Sequence, residues 1–348
     1  MIEPIGFAIV GTGAIADVHA GAILANAGAR LIAAFSRDAA KCADFAKRHG
    51  CRAAASLDEI VRDPAVRAVC ITAPSGAHAA AAVPILEAGK AVLCEKPLEI
   101  SLEAVERIIA AAERGGGMLA GVFQMRLGRG AGILKNAIES GRFGRLTLCS
   151  AYVKWWRAQS YYSDSAWKGT WRLDGGGALM NQGIHAVDLL QWLAGMPAEV
   201  SAFFATLAHP GVEAEDTAVA SLRFANGALG TIEAATSAYP GSDLRIEIIG
   251  DRGTAVLVND RLVRWEFSEP LPGDEAVLAA NSVSTIQGGA SEPMAMTHEG
   301  HRRLVDDLVN ALHEGRPPMI PGAEARNAVA LVLAIYEAAR SGSRVKVS

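Results

Sequence analysis

Cysteine is scarce: the 348-residue chain holds five, Cys42, Cys51, Cys70, Cys94 and Cys149, with no C-x-x-C pair among them. An odd number of widely separated thiols excludes a disulfide-stapled module and predicts a reduced, intracellular protein. Charge of one sign is also missing, since 33 Lys and Arg stand against 37 Asp and Glu for a formal charge of −4, without single-sign blocks. Nucleic-acid and polybasic membrane binding are therefore not expected. Long apolar runs are absent; the longest, around Ala328 to Tyr336, falls short of the roughly 20 residues a membrane helix needs. The opening Met1-Ile2-Glu3-Pro4 has no basic stretch, so no secretion signal is expected and the cytoplasm is the expected compartment. Neither a G-x-S-x-G nor a Walker A sequence occurs, which leaves serine hydrolase and P-loop kinase chemistry without support.

What is present is enough apolar residue, 51% against 20% charged, to bury a core in each of two folded units. From Ile5 to about Val122, short apolar runs at Ile5–Val10, Leu31–Phe35, Ala68–Ile71, Ala91–Cys94 and Met118–Val122 alternate with helix-length segments. That rhythm predicts an α/β dinucleotide-binding Rossmann domain over residues 1–122 with a parallel sheet. Helix starts are signposted at Ser56-Leu57-Asp58-Glu59, a capping box, and at Ser101; Gly89 and Gly115-Gly116-Gly117 mark helix ends. The rhythm then changes. Helices around Gly130–Ser140 and Gly183–Leu193 flank an aromatic, irregular stretch, and strand-like runs follow at Glu199–Leu207, Thr217–Phe224, Leu229–Thr236, Leu244–Ile249, Thr254–Val258 and Leu262–Phe267. Residues 123–348 are thus expected to form an α/β domain with an open, mainly antiparallel sheet, a loop over Pro270 to Glu292, and two closing helices at His298–Glu314 and Gly322–Ser341.

The first strand runs into Gly11-Thr12-Gly13-Ala14-Ile15-Ala16, a G-x-G-x-x-A turn that opens a helix. Gly11 allows the tight turn, Gly13 lets the backbone approach a pyrophosphate, and small Ala16 allows close helix–strand packing. About 20 residues on, where NAD sites usually place an acid on the ribose, stand Ser36 and Arg37. A hydroxyl and a guanidinium suit a 2′-phosphate, which favours NADP over NAD, although Asp38 could still reach the ribose. Thr72, Pro74 and His78, and then Glu95-Lys96-Pro97, follow strands at the carboxyl edge where doubly wound sheets hold ligands.

Together with Gly175-Gly176-Gly177, His185 and Asp188, these motifs resemble the Gfo/Idh/MocA oxidoreductase family, which includes glucose-fructose oxidoreductase and inositol dehydrogenases. The resemblance implies NAD or NADP on the first domain and hydride transfer at one carbon of a sugar or cyclitol. It implies that Lys96 hydrogen-bonds the reacting hydroxyl beside the nicotinamide and that His185 accepts its proton. Asn181 stands where the family often carries an aspartate; it can orient a hydroxyl but cannot take a proton. It further implies a homodimer or homotetramer associating through the second domain's sheet.

Elementary chemistry agrees with those roles. Removing hydride from a carbinol carbon leaves a proton on oxygen, which an imidazole of ordinary pKa near 6.5 can take while Lys96 offsets the developing charge. Asn181, His185 and Asp188 are spaced i, i+4, i+7, which predicts one helix face with Asp188 fixing the imidazole tautomer. The active site is expected between Lys96 of the first domain and His185 of the second. Five of the six tryptophans lie between Trp155 and Trp192. A loop with Tyr162, Trp167 and Trp171 beside Lys154, Arg157, Lys168 and Arg172 suits a polyhydroxylated, anionic ligand, and equally suits a core or an interface. No metal is expected: His298 and His301 beside Glu299, and His185 with Asp188, lack further ligands nearby. Two alternatives share the fold, an NAD-dependent glycosidase that uses its cofactor transiently and a cofactor-binding regulatory protein without turnover.

Overall fold

The computed structural model describes residues 3–280 and 298–347. The chain opens with β1 (Ile5–Val10), α1 (Ala14–Leu24), β2 (Ala29–Phe35), α2 (Ala39–His49), β3 (Arg52–Ala53), α3 (Leu57–Arg62), β4 (Ala68–Ile71), α4 (His78–Glu87), β5 (Ala91–Cys94), α5 (Leu102–Gly115) and β6 (Leu119–Gly121). Every residue of β1, β4 and β5 is buried, as strands covered on both faces by helices require. The six strands pair in parallel in the order β3-β2-β1-β4-β5-β6. The expected caps are present. The Ser56 hydroxyl accepts from Glu59 N at 3.3 Å and the Ser101 hydroxyl from Ala104 N at 3.3 Å. Glu59 returns its carboxylate to Ala55 N at 3.1 Å, one residue earlier than a capping box predicts.

The remainder comprises α6 (Arg129–Glu139), β7 (Leu146–Lys154), α7 (Ser160–Ser163), α8 (Ile184–Ala194), β8 (Pro197–Ala205), β9 (Thr217–Phe224), β10 (Leu229–Ala235), β11 (Arg245–Gly250), β12 (Gly253–Val258), β13 (Arg261–Phe267), α9 (Asp274–Ala280), α10 (Glu299–Glu314), α11 (Gly322–Ser341) and β14 (Val345–Lys346). Eight strands form one sheet ordered β13-β12-β11-β7-β10-β9-β8-β14. It is mostly antiparallel, except that β7 runs parallel to β10. β7 was not among the expected strands, although it sits in mid-sheet. Its alternation is blurred, because Ser150 is buried while Leu148 is 42% exposed. The loop expected over Pro270 to Glu292 contains α9, and its part beyond residue 280 lies outside the described residues.

The chain divides into two compact units, Met1–Gln124 with His298–Arg326, and Met125–Thr297 with Asn327–Ser348. Residues 298–326, expected in the second domain, thus belong to the first. The reason is α10, whose buried stripe Leu304, Val305, Leu308 and Val309 packs where α1 offers a partner, with Asn26 Nδ2 donating to Asp306 at 2.6 Å. Helical periodicity announces such a stripe without saying which surface will cover it.

Candidate active site

The β1–α1 turn is built for close approach. Gly11 has φ of +100°, and a Cβ on it would lie 2.6 Å from Ala73 N, so only glycine fits. Thr72 pins the turn from beneath, its hydroxyl donating to Gly11 O at 2.7 Å. Gly13 precedes α1 with no side chain capping the helix, and a Cβ there would meet nothing within 4 Å. An open, uncapped helix N-terminus of this kind fits a pyrophosphate, with Thr12, Ala14 and Ile15 completing the turn. At the end of β2, Ser36 is half-buried and Arg37 exposed. Asp38 caps α2, accepting from Lys41 N at 3.1 Å, and that backbone bond holds its carboxyl below the usual range.

At the carboxyl end of β5 the polar groups tie elements together. His78 is buried behind Pro74, with Nδ1 2.9 Å from Pro97 O and Nε2 2.8 Å from Ala73 O. Glu95 is 6% exposed. Its Oε1 lies 2.8 Å from His19 Nε2 of α1 and 3.3 Å from His301 Nε2 of α10, and its Oε2 accepts from Lys96 N at 3.1 Å. Burial pushes the Glu95 carboxyl up, but the bonds from His19 and His301 outweigh it and hold it well below the carboxylate range. Burial lowers the His19 pKa, against the pull of its bond to Glu95. Thr72, His78 and Glu95 were expected to touch a cofactor. The bonds above turn their polar side-chain atoms toward the protein, where they hold Gly11, Pro97 and the Lys96 backbone. The expectation of no metal also meets a new arrangement, since His19, Glu95 and His301 bring three potential ligand atoms within 4.8 Å of one another.

In the second unit His185 lies in the first turn of α8, 7% exposed. Ahead of it, Ala178–Gly183 form a π-helical turn. Of the three residues expected on one helix face, Asn181 lies in this π turn and His185 and Asp188 lie in α8. Asn181 Nδ2 donates to Asp174 Oδ1 at 2.8 Å, and Asp174 Oδ2 accepts from Gly169 N at 2.9 Å. The carboxylate that Asn181 lacks is thus supplied behind it. Asp188 is gripped by Arg126, Nε to Oδ2 at 2.8 Å and Nη2 to Oδ1 at 2.7 Å, both groups buried. The expected tautomer-fixing acid is the anion of a forked ion pair.

The turn itself is clamped by Glu215. Its carboxylate accepts from Gly177 N at 2.9 Å, Leu179 N at 2.8 Å and Tyr336 Oη at 2.8 Å. Burial nonetheless raises its pKa to about 7. A Cβ on Gly177 would lie 1.8 Å from Glu215 O, which explains that glycine by close approach. Sequence reasoning missed Arg126, Asp174, Glu215 and Tyr336. Only the Glu215-Asp216 pair, acids directly before an apolar strand, carried a signal.

The aromatic stretch is sorted by its contacts. Tyr162 is buried with its hydroxyl 2.7 Å from Thr236 Oγ1. Its neighbour Tyr161 accepts from Gln182 Nε2 at 3.0 Å, with Lys168 Nζ 3.8 Å and the Arg157 guanidinium 5.5 Å from its ring centre. Arg157 is buried between that ring and Trp155, and burial lowers its pKa. Trp171 packs with Phe204, Tyr336 and Arg340, and its Nε1 donates to Glu213 O at 3.1 Å. Trp167 is half-buried.

Two family models match the chain: an oxidoreductase family with an NAD-binding Rossmann fold over residues 5–122, and a GFO/IDH/MocA C-terminal domain over residues 133–256. An uncharacterized oxidoreductase, sll0816 of Synechocystis sp., is 31% identical over 335 residues, 89% of this chain and 87% of its own. Inositol 2-dehydrogenase of Rhizobium meliloti is 28% identical over 266 residues, 75% and 78% of the two chains. Among solved structures, the WlbA dehydrogenase of Bordetella pertussis, in complex with NADH and UDP-GlcNAcA, is 34% identical with a TM-score of 0.89, covering 99% of each chain.

Proposed function

The chain belongs to the Gfo/Idh/MocA oxidoreductase family, and on that premise we propose that it moves a hydride between nicotinamide and a secondary hydroxyl of an acidic, nucleotide-linked sugar. That it is an NAD(P)-dependent oxidoreductase for sugar-like alcohols follows from the family; the substrate, the residue roles and the choice of dinucleotide are our reading. The observation that carries it is the open, uncapped turn at Gly11–Gly13 in the same unit as Lys96. Arg157 and Lys168 around Tyr161 support an anionic ligand, as does the WlbA relative solved with UDP-GlcNAcA. Ser36 and Arg37 support NADP, because Asp38 is engaged in capping α2.

When bound, nicotinamide provides the hydride-accepting carbon. The chain's own part is to hold the hydroxyl and manage its proton. The carbinol C–H bond breaks, the carbonyl forms, and the hydroxyl proton passes to the His185 imidazole. The Lys96 ammonium donates to the same oxygen and offsets its developing charge. Asn181, fixed by Asp174, orients the sugar. The forked Arg126–Asp188 pair holds the helix that carries His185. Phe203, 77% exposed, with Val219 and Leu229 on the open face of the sheet, supports association of two copies there. Five free cysteines support a reducing, cytoplasmic setting.

The test is nicotinamide absorbance over time with NAD or NADP and a panel of UDP-linked uronic acids, free sugar acids, sugars and cyclitols, using Lys96→Ala as blank. Turnover of a UDP-linked uronic acid, absent from the blank, supports the reading. Turnover of a neutral sugar alone overturns the substrate class. Hydrolysis without net dinucleotide change replaces the dehydrogenase with the glycosidase.

A further inference from the structure

Glu95 sits directly before Lys96, and its carboxylate is surrounded by groups from three elements. His19 comes from α1, the helix whose N-terminus forms the open turn; His301 comes from α10; and the Lys96 peptide N–H comes from the exit of β5. His19 and His301 are 0% exposed and their rings meet edge to face with centres 5.1 Å apart. We propose that Glu95, held by His19 and His301, is a positioning residue that fixes the backbone of Lys96 relative to the helix beneath the dinucleotide turn. The inference rests on the reading of Lys96 given above.

An ionised carboxylate removed from water needs its lone pairs answered, and each donor here brings its own element with it. His19 is fixed to the turn through α1, so a bond between His19 and Glu95 links the turn to the strand exit. The bond from Lys96 N to Oε2 then fixes the peptide plane from which the Lys96 side chain departs. A displacement of about 1 Å at a reacting group can lower a rate about 100-fold, which gives such a link its value. The competing use of two imidazoles and a carboxylate is a metal centre. Histidines that ligate through one nitrogen almost always donate the other N–H to an acceptor, and here both Nδ1 atoms are buried with no hydrogen-bond partner among the described residues. The geometry fits two imidazoles donating Nε2–H to Oε1.

The decisive experiment compares crystal structures of the wild type and Glu95→Ala without dinucleotide. A shift of the Lys96 Cα by about 1 Å is expected; a Lys96 that superposes on the wild type overturns the proposal. In solution, kcat on the panel substrate falls about 100-fold while the dinucleotide Kd changes by less than about threefold. Glu95→Gln restores kcat to within about tenfold of wild type, because a carboxamide can accept from Lys96 N and, once each imidazole moves its proton to Nδ1, donate to both Nε2 atoms. His301→Gln, a milder variant should Glu95→Ala not fold, lowers kcat about tenfold and moves Lys96 less. Parallel loss of kcat, dinucleotide affinity and thermal stability, without rescue by Gln, indicates a merely structural carboxylate and overturns the proposal. So does a stoichiometric metal ion found by elemental analysis whose removal by chelator reproduces Glu95→Ala. Undiminished turnover in Lys96→Ala removes the catalytic reading of Lys96 instead, and leaves the crystallographic comparison to decide the geometry.

Discussion

Glu95 and Glu215 are both buried glutamates whose oxygens are answered by hydrogen bonds, the first beside Lys96 and the second behind the turn that leads to His185. Their protonation differs because their partners differ. Glu95 faces two imidazoles, groups that become cations on gaining a proton, and is held well below the carboxylate range. Glu215 faces two peptide N–H groups and the Tyr336 phenol, which is neutral or anionic but never a cation, and burial raises it to about 7. Burial alone therefore does not set the state of a carboxylate; the hydrogen-bond partners it meets do. The first glutamate is a fixed anion, and the second is a clamp whose charge changes near neutral pH.

The largest effects come from the groups these glutamates stand behind. Lys96→Ala is expected to lower kcat about 1,000-fold, and His185→Asn by about 100-fold to 10,000-fold. Both should leave dinucleotide binding intact, as measured by nicotinamide fluorescence. A His185 variant with wild-type turnover would leave Glu215 with no catalytic partner to support.

Glycines sharpen the contrast next. Gly177→Ala drives a methyl into Glu215 O, 1.8 Å from the ideal Cβ, and should cost about 3–4 kcal/mol in denaturant unfolding. Gly13→Ala meets open space, so it should leave stability nearly unchanged while weakening dinucleotide binding about tenfold or more. Equal loss of stability in both would mean that the open turn is packed rather than vacant for a ligand.

The pH dependence is slightly smaller and opposite in sign at the two glutamates. Glu215 has a folded pKa raised from 4.5 to about 7, so its contribution is fully present below 4.5 and is lost as pH rises through 7. At about 1.4 kcal/mol per pH unit this amounts to about 3 kcal/mol, which Glu215→Gln should abolish when stability is compared at pH 5 and pH 8. Glu95 is depressed, so its contribution is present above 4.5 and is lost as pH falls. An unchanged pH profile in Glu215→Gln would show that Glu215 is not the titrating clamp. The smallest effect is at the ribose edge, where Arg37→Ala should shift the NADP-to-NAD ratio of kcat/KM about tenfold toward NAD.

Much of this architecture was legible in the residues. β1, β4 and β5 read as continuous apolar runs because both their faces are covered, and Gly11–Ala16 announced its turn by its spacing together with its place directly after the first apolar run. β7 was illegible because its buried centre is Cys149-Ser150-Ala151, small and partly polar, while an outward leucine scrambles the alternation. The π turn left no mark in the periodicity, so Asn181 was read as part of a regular α-helix. Glu95 and Asp188 were singled out as residues, yet their bonds were not foreseeable. His301 lies 206 residues from Glu95, and Arg126 lies 62 from Asp188. Local sequence reveals a motif, whereas the partners that set its chemistry arrive through the fold.

The most direct measurement follows a label. The protein is incubated with NAD or NADP and UDP-linked uronic acids deuterated at each ring carbinol carbon in turn, and the reduced dinucleotide is examined by mass spectrometry. Hydride transfer predicts deuterium in the reduced dinucleotide from one carbon position only, with none from Lys96→Ala. Dinucleotide that stays oxidised and unlabelled while the glycosidic bond is cleaved would contradict it.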